Sequence, residues 1–234
     1  PNTRLFYFED DEHLPTIAAN HPQVISKPYN TPAYTIDEEG ITHITHDGNS
    51  YALQIFGAHN LQNMEGARMV CECLNIPAHD FYTAMQTFSG AARRLELMHQ
   101  SESLIAYRDF AHSPSKLKST VKAVKQQFKG KRLLAVFELH TFSSLDANFL
   151  PQYAGSMNDA DEAIVLCDEE TLRQKNKVLD AAVVKQHFGA NVQVFSNSAL
   201  LQEEIYRRIY TEPTVLLLMS SGTFGGLKWE FREV

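Results

Sequence analysis

The first part of the chain alternates short β-prone runs with polar turns. Two of these turns carry an acidic residue followed by glycine, at Glu39-Gly40 and Asp47-Gly48. Such dipeptides between β-prone runs indicate hairpins, so the pattern predicts an antiparallel meander. The predicted strands cover residues 33–36, 41–45 and 51–55.

The pattern then changes to a helical period. Apolar residues recur every three or four positions over 60–74, which predicts a helix with one buried face. A second helix is predicted over 78–87, after Pro77, and a loop at 88–90 is a candidate hinge.

The rest of the chain alternates apolar runs of strand length with helical stretches. This alternation predicts an α/β fold: a Rossmann-like parallel sheet with helices on both faces. Ligands of such sheets lie beyond the carboxyl ends of the strands, here at loops 109–114, 138–144 and 220–226. The predicted strands are 103–107, 133–137, 163–166, 192–195 and 215–219, and the predicted helices are 114–128, 147–157, 176–188 and 199–210.

Charge divides the chain at about the same place as the pattern. Residues 1–90 hold three Lys or Arg against eleven Asp or Glu, a net charge of −8, whereas residues 91–234 have a net charge of +1. We therefore predict two units with a boundary near 89–92. The acidic total of −7 argues against general nucleic-acid binding, whose footprint is basic.

Composition favours a cytoplasmic globular protein. The 234 residues are 44% hydrophobic and 21% charged, and the longest apolar run is strand-sized, so no membrane insertion is expected. The first residues resemble no signal peptide, and their lack of an initiator Met suggests a piece of a longer chain. Cys71 and Cys73 fall on different faces of the predicted helix, which favours reduced cysteines.

Several short motifs carry candidate chemistry. In RDFAHSP, Pro114 is expected to begin a helix with Ser113 as its N-cap, and Asp109 and His112 lie beside that helix end. This arrangement fits a phosphate site. The alternative is that Asp109 only complements the helix dipole.

Other candidates keep a purely structural alternative. Asn60 and Asn63 in GAHNLQN share a helix face that could read a planar base, or an Asn could simply cap the helix. Arg93-Arg94 is either a nucleotide clamp at a hinge or a solvated pair. The loop SSGTFGG at 220–226 offers donors for an anion or carboxylate, or forms only a turn, and His140 ends a strand.

Taken in order, these motifs resemble those of the Mur ligase family, the ATP-dependent amide-bond ligases of peptidoglycan synthesis. GAHNLQN is similar to G-x-H-N-x-x-N, GAARRLE to G-x-x-x-R-x-E, RDFAHSP to D-Y-A-H-x-P, and AVFELH to the strand ending in F-x-P-H. The resemblance covers essentially the whole chain. It implies that residues 1–90 are the C-terminal part of the central, ATP-binding domain and that residues 91–234 are the C-terminal ligase domain.

The resemblance also assigns roles to residues. His59, Asn60 and Asn63 would bind the adenine of ATP, and Arg94 and Asp109 would hold its ribose. His112 would be the catalytic residue near the phosphates. Substrate would be bound by His140, Ser220 and Ser221.

The branch of the family is less clearly marked. MEGARMVCECLNI, FELHTFSSL and MSSGTFGGL are most similar to the muropeptide ligases, which join UDP-N-acetylmuramate to L-alanyl-γ-D-glutamyl-meso-diaminopimelate. The alternative is the branch that adds L-alanine. In that branch arginines follow F-x-P-H, whereas Thr141 and Ser144 stand here.

One family feature is missing from this sequence. No P-loop, G-x-x-G-T-x-G-K-[ST], occurs in the 234 residues. The resemblance implies that this loop and the Mg²⁺ ligands lie upstream, so we expect no metal ligands in this chain and no ligase activity from it alone. A different class of function, a stand-alone Rossmann-like module that binds a nucleotide or peptide, remains the alternative.

Overall fold

The computed structural model describes residues 3–189 and 191–232. The chain divides into two compact units between Ser89 and Gly90. The predicted domain ranges also include residues 1, 2, 190, 233 and 234, which lie outside the described residues.

The first unit contains the predicted meander and both predicted helices. Strands β3, β4 and β5 form an antiparallel sheet in that order. The turn between β4 and β5 is the two-residue Asp47-Gly48, with φ of 47° and 77°, the left-handed pair that a tight hairpin requires. The elements of this unit are β1 (Arg4–Phe8), α1 (Leu14–Ala19), β2 (Ile25–Tyr29), β3 (Tyr34–Ile36), β4 (Thr42–His46), β5 (Asn49–Leu53), α2 (Ala58–Cys73) and α3 (Ala78–Met85).

A parallel pair of strands, β1 and β2, was not predicted. Their side chains are mostly half-buried or exposed, so the apolar run that marks a buried strand is absent. Helix α2 packs against β1, and Gly66 lets it approach Tyr29 closely. A Cβ at Gly66 would lie 3.0 Å from the Tyr29 hydroxyl oxygen, so an alanine there would require the Tyr29 ring to shift by a few tenths of an ångström.

The second unit is built on one six-stranded sheet in the order β10-β9-β8-β11-β7-β6. All neighbours are parallel except β6, which is antiparallel to β7. The predicted α/β class is confirmed, with a mixed sheet that is mostly parallel. Its elements are β6 (Glu96–Gln100), β7 (Leu104–Asp109), α4 (Pro114–Gln127), β8 (Arg132–Glu138), a 3₁₀ helix (Leu150–Tyr153), β9 (Glu162–Leu166), α5 (Glu169–Gln174), α6 (Ala181–Phe188), β10 (Val192–Phe195), α7 (Ser198–Ile209) and β11 (Thr214–Met219).

Helices cover both faces of this sheet. On one face Val136 belongs to a buried cluster with Leu201 of α7. Its neighbour Phe137 points to the opposite face, where its ring lies 5.5 Å from Tyr153 and 6.0 Å from Phe188. Both faces of β8 are therefore buried, which explains its continuous apolar run.

Two predicted helices are wrong in extent. Residues 147–157 form only a 3₁₀ turn, because Pro151 has no N–H and Gly155 takes a φ of 71°. Residues 176–188 are helical only from Ala181, after Asp180 caps α6 by accepting the Ala182 N–H at 2.7 Å.

Helix α5 and strand β6 were missed. Asp168 caps α5, and both elements are too short to show a clear period. Within residues 3–189 and 191–232, no helix combines the length and apolar character that crossing a bilayer would need.

Candidate functional site at the carboxyl ends of the strands

Most of the predicted site residues in the second unit lie at one edge of its sheet. Asp109 ends β7 and Glu138 ends β8, and His112 and His140 lie in the loops that follow. The loop that begins with Ser220 follows β11, the strand between β7 and β8. The topology thus gathers these residues at the edge where α/β sheets bind ligands.

Asp109 is only 9% exposed, and both of its carboxylate oxygens accept hydrogen bonds. Oδ1 accepts from the Ala111 N–H at 2.7 Å and from the Thr120 hydroxyl at 3.4 Å. Oδ2 accepts from the Leu95 N–H at 2.8 Å. The side chain therefore ties the segment before β6 to the loop after β7.

Further bonds strengthen this junction. The Phe110 N–H donates to the Arg93 carbonyl at 2.7 Å, and the Arg93 N–H donates to Glu96 at 2.7 Å. Arg108 makes two hydrogen bonds to Glu96, at 2.9 and 2.8 Å, and this pairing lowers the pKa of the Glu96 carboxyl. The motifs GAARRLE and RDFAHSP form one hydrogen-bonded unit.

Asp109 reaches the segment that carries Arg94 through the backbone. Asp109 is bonded to the backbone of Leu95, and Arg94 itself is exposed. The role of Arg94 and Asp109 at a ribose stays a prediction.

His112 has a defined orientation. Its Nδ1 lies 2.9 Å from the Phe110 carbonyl oxygen, so Nδ1 carries the hydrogen and the neutral ring presents Nε2 as an acceptor. The hydroxyl of the buried Tyr153 donates to the His112 carbonyl at 2.6 Å. Helix α4 begins at Pro114 with Ser113 at the N-cap, as predicted, although the Ser113 side chain makes no capping bond.

The predicted adenine residues lie on α2 in the first unit. The Asn60 side-chain amide donates to the Phe56 carbonyl at 2.9 Å, which fixes its orientation at the start of the helix. Asn63 is exposed and His59 is half-buried. A fixed amide suits recognition of a base, so these residues fit the expected role, which stays a prediction.

Glu138 is a functional candidate that sequence reasoning missed. It is 1% exposed, and its Oε2 accepts from the Ser220 hydroxyl and from the Phe224 N–H at 2.8 Å. The Ser220 oxygen in turn accepts from the Gly222 N–H at 2.7 Å. The sequence feature that could have identified Glu138 is its place at the end of the apolar run AVFE. A carboxylate at the end of a buried strand needs hydrogen-bond partners.

The other oxygen of Glu138 faces the ring of His140. The Oε1 atom lies 3.7 Å from His140 Nδ1, and the His140 ring lies against Gly222. A Cβ at Gly222 would come within 2.6 Å of Nδ1. Glu138 Oε1, His140 Nδ1 and the Ser221 hydroxyl are buried and have no hydrogen-bond partner in the part of the chain that the structure describes.

A pocket of about 590 Å³ opens beside this pair. Glu138 and His140 line one part of it, and residues of α5 and of the loops after β10 and β11 line other parts. The pocket is bordered by four carboxylates, those of Glu138, Asp168, Glu169 and Glu170. The guanidinium of Arg173 also borders it. Across the described ranges, no group of three or more His, Cys, Asp or Glu is placed to hold a metal ion.

The sequence matches a known family over this region. The model of the family described as "Mur ligase, glutamate ligase domain" matches residues 93–222, which is more than half of the chain. The chain belongs to the Mur ligase family.

Two curated relatives from different organisms share a name. The UDP-N-acetylmuramate–L-alanine ligase of Desulfitobacterium hafniense is 26% identical over 174 residues, which is 70% of this chain and 38% of that protein. The enzyme of the same name from Caldicellulosiruptor bescii is 37% identical over 124 residues, 53% of this chain and 27% of that protein. The chain therefore spans well under half the length of these relatives.

Solved structures share the fold at lower identity. UDP-N-acetylmuramate-alanine ligase from Thermotoga maritima aligns with a TM-score of 0.68 and 17% identity, over 94% of this chain and 49% of that one. A murein peptide ligase from Psychrobacter arcticus aligns at 0.58 and 18%, over 97% and 50%. A MurF ligase, also from Thermotoga maritima and in complex with ADP, aligns with a TM-score of 0.68 and 14% identity, over 95% of this chain and 51% of that one.

Proposed function

We propose that this chain is part of an ATP-dependent ligase that joins UDP-N-acetylmuramate to L-alanyl-γ-D-glutamyl-meso-diaminopimelate. In this proposal residues 1–90 belong to the ATP-binding central domain and residues 91–234 are the ligase domain that receives the amine substrate. Family membership supports amide-bond formation, and the named relatives support UDP-N-acetylmuramate as the carboxylate substrate.

The observation that favours a peptide over a single amino acid as the amine substrate is the size of the pocket beside Glu138 and His140. Its volume of about 590 Å³ lies within the range of roughly 300–1,000 Å³ that is usual for sites holding drug-sized ligands. A single alanine would fill a small part of it. A tripeptide matches the pocket better.

The second candidate is ligation of L-alanine. The names of the curated relatives favour it. Against it stand the size of the pocket and the residues Thr141 and Ser144, which follow His140 where the L-alanine branch has arginines.

In the proposed reaction the chain mainly positions groups. ATP would supply the phosphoryl group that activates the muramate carboxylate, with Asn60 and Asn63 holding the base and Asp109 the ribose. His112 presents Nε2 toward its surroundings because Nδ1 is bonded to Phe110, so it can accept a proton or a hydrogen bond at one defined atom. The Ser220–Ser221 turn, held by Glu138, and His140 would orient the incoming amine.

The test is an assay of a longer polypeptide that includes a P-loop ahead of this chain. Phosphate release from ATP with UDP-N-acetylmuramate is measured with the tripeptide or with L-alanine as the amine. Faster turnover with the tripeptide, by kcat/KM, supports the proposal. A preference for L-alanine would favour the second candidate, and no release with either amine would reject both.

A further inference from the structure

We propose that the pocket at the ends of β8, β9 and β10 binds an ammonium group, with Glu138 as its buried counter-charge. The inference rests on the proposed function and assigns to Glu138 the ammonium group of the peptide that does not react. A peptide that ends in a diamino acid has this chemistry.

Glu138 carries the argument because its two oxygens differ. Oε2 holds the loop after β11 through Ser220 and Phe224, whereas Oε1 is buried without a partner within the described residues. A buried carboxylate oxygen without a donor is costly. His140 Nδ1, at 3.7 Å, is beyond hydrogen-bond distance. A donor supplied by a ligand would satisfy Oε1.

The charges that line the pocket indicate whether the ligand group that donates to Oε1 is positive or negative. Arg173 makes two hydrogen bonds to Glu170, at 2.8 and 2.6 Å, so this pair is neutral in sum. Glu138, Asp168 and Glu169 remain on the pocket wall. An ammonium group is therefore favoured beside Glu138, and a ligand that carries carboxylates alone is disfavoured there.

The ammonium group is not the reacting amine, for a chemical reason. An amine must lose its proton before it attacks an acyl phosphate. A buried carboxylate stabilises the ammonium form and so raises the pKa of an amine bonded to it. Glu138 therefore suits a positive group that stays charged throughout the reaction.

Binding of simple probes to the 234-residue chain tests the pocket directly. The two probes are 1,5-diaminopentane and pimelate, which have the same number of methylene groups and opposite charge. In NMR titrations at equal ionic strength, we expect the diamine to shift the amide signals of His140 and Phe224. Pimelate should leave them unchanged. Equal shifts with pimelate would overturn the inference.

The decisive variant is Glu138→Gln. The Gln carbonyl oxygen can accept the bonds of Ser220 and Phe224, while the amide NH₂ replaces Oε1 and removes the charge. We expect diamine binding to weaken about tenfold or more, the loss typical of one hydrogen bond to a charged group. The matched control is Glu203→Gln on the exposed side of α7, which should bind the diamine as the unmodified chain does.

A second variant covers the case in which Glu138→Gln does not fold. Glu169 is exposed at the pocket wall, and Glu169→Gln should weaken diamine binding about threefold by removing one charge. Unchanged affinity in every folded pocket variant would reject the site.

These titrations use neither ATP nor UDP-N-acetylmuramate, so they are independent of the ligase assay. Diamine binding without ligase activity in the longer polypeptide would keep the ammonium site and reject the proposed function. Ligase activity without a preference for the diamine over pimelate would reject the ammonium site alone.

Discussion

The Asp109 carboxylate accepts the backbone N–H of Leu95 at 2.8 Å across the start of β6 and the end of β7. Leu95 has a φ of 46°, and Arg93, two residues earlier, has a φ of 57°. Bulky residues in this left-handed region cost about 1–3 kcal/mol and persist only where surrounding contacts hold them. Asp109 is thus first a positioning residue for the turn that carries Arg93 and Arg94.

The first prediction concerns Asp109→Asn. Asn keeps the shape but places an NH₂ group where one oxygen accepted an N–H, so we expect the free energy of unfolding to fall by about 1–3 kcal/mol. Thermal and urea denaturation of the chain measure this loss. Thr120→Val is the control, because it removes only the 3.4 Å bond to the same carboxylate and should cost less. An unchanged melting temperature for Asp109→Asn would contradict the positioning role.

A second prediction follows from the contact between Gly222 and His140. A Cβ at Gly222 would lie 2.6–2.8 Å from the ring, so Gly222→Ala should displace His140 and destabilise the second unit by about 1–3 kcal/mol. Combining it with His140→Ala removes the clash. The double variant should therefore lose less stability than the sum of the two single variants, as measured by denaturation. Strict additivity would mean that the loop, rather than the ring, gives way.

The third prediction is a pH dependence. Glu204 is bonded to Arg207 and to Arg208, and these bonds lower its pKa from 4.5 to about 2. A carboxyl whose pKa is lower in the folded state adds stability above its unfolded pKa and loses it as the pH falls toward the folded value. Glu204→Gln should therefore be less stable than the unmodified chain at pH 6, by up to about 1 kcal/mol, and equal to it near pH 2.

The comparison is made by urea denaturation at several pH values. Glu203→Gln, on the next residue of α7, is the control and should show no such pH-dependent difference. A difference for Glu204→Gln that is constant from pH 6 to pH 2 would show that packing, rather than charge, causes it.

The fourth prediction is that residues 90–234 fold without the first unit. Their sheet is covered by helices on both faces, so calorimetry should show one cooperative transition. Residues 1–89 should be less stable, because Val70, Leu74 and Ile76 expose large apolar side chains at the end of α2 and just after it. Cooperative melting of residues 1–89 as a monomer would contradict this expectation.

A fifth prediction concerns activity. The 234 residues contain no P-loop, whose backbone N–H groups and Lys cradle phosphates in this class of enzyme. The isolated chain should release no phosphate from ATP in a coupled assay. Release that scales with protein and survives mutation of Asn60, Asp109 and His112 would point to a contaminating ATPase, and release abolished by these mutations would contradict the prediction.

The sequence predicts the central strands of the large sheet better than the edge strand β6 and the exposed pair β1 and β2. Strands such as β8 and β11 are buried on both faces, so their apolar runs are continuous and easily recognised. Strand β6 and the pair β1 and β2 lack this signal, because an edge or exposed strand keeps polar residues such as Lys27 and His99. They become strands only through hydrogen bonds to a neighbouring strand, which for β6 is the antiparallel β7 and for β1 and β2 is each other.

In the site, the sequence identifies candidate residues but does not identify the groups to which their side chains bond. Position in a loop after a strand was enough to single out Asp109, His112 and His140. The partner of each side chain depends on contacts between distant segments, such as Ser220 with Glu138, which no local pattern contains. For that reason Glu138, at the first position of the predicted loop 138–144, was not among the predicted site residues, although it holds the loop after β11.

The position of β11 also bears on how the second unit is made. This strand lies between β7 and β8, and its Thr214 pairs with Leu104 and Arg132. The centre of the sheet is therefore synthesised last, and β7 and β8 leave the ribosome with facing, unpaired edges. We expect translation arrested before residue 214 to yield aggregation-prone chains that need chaperones, since the strand that joins the two halves of the sheet is still missing.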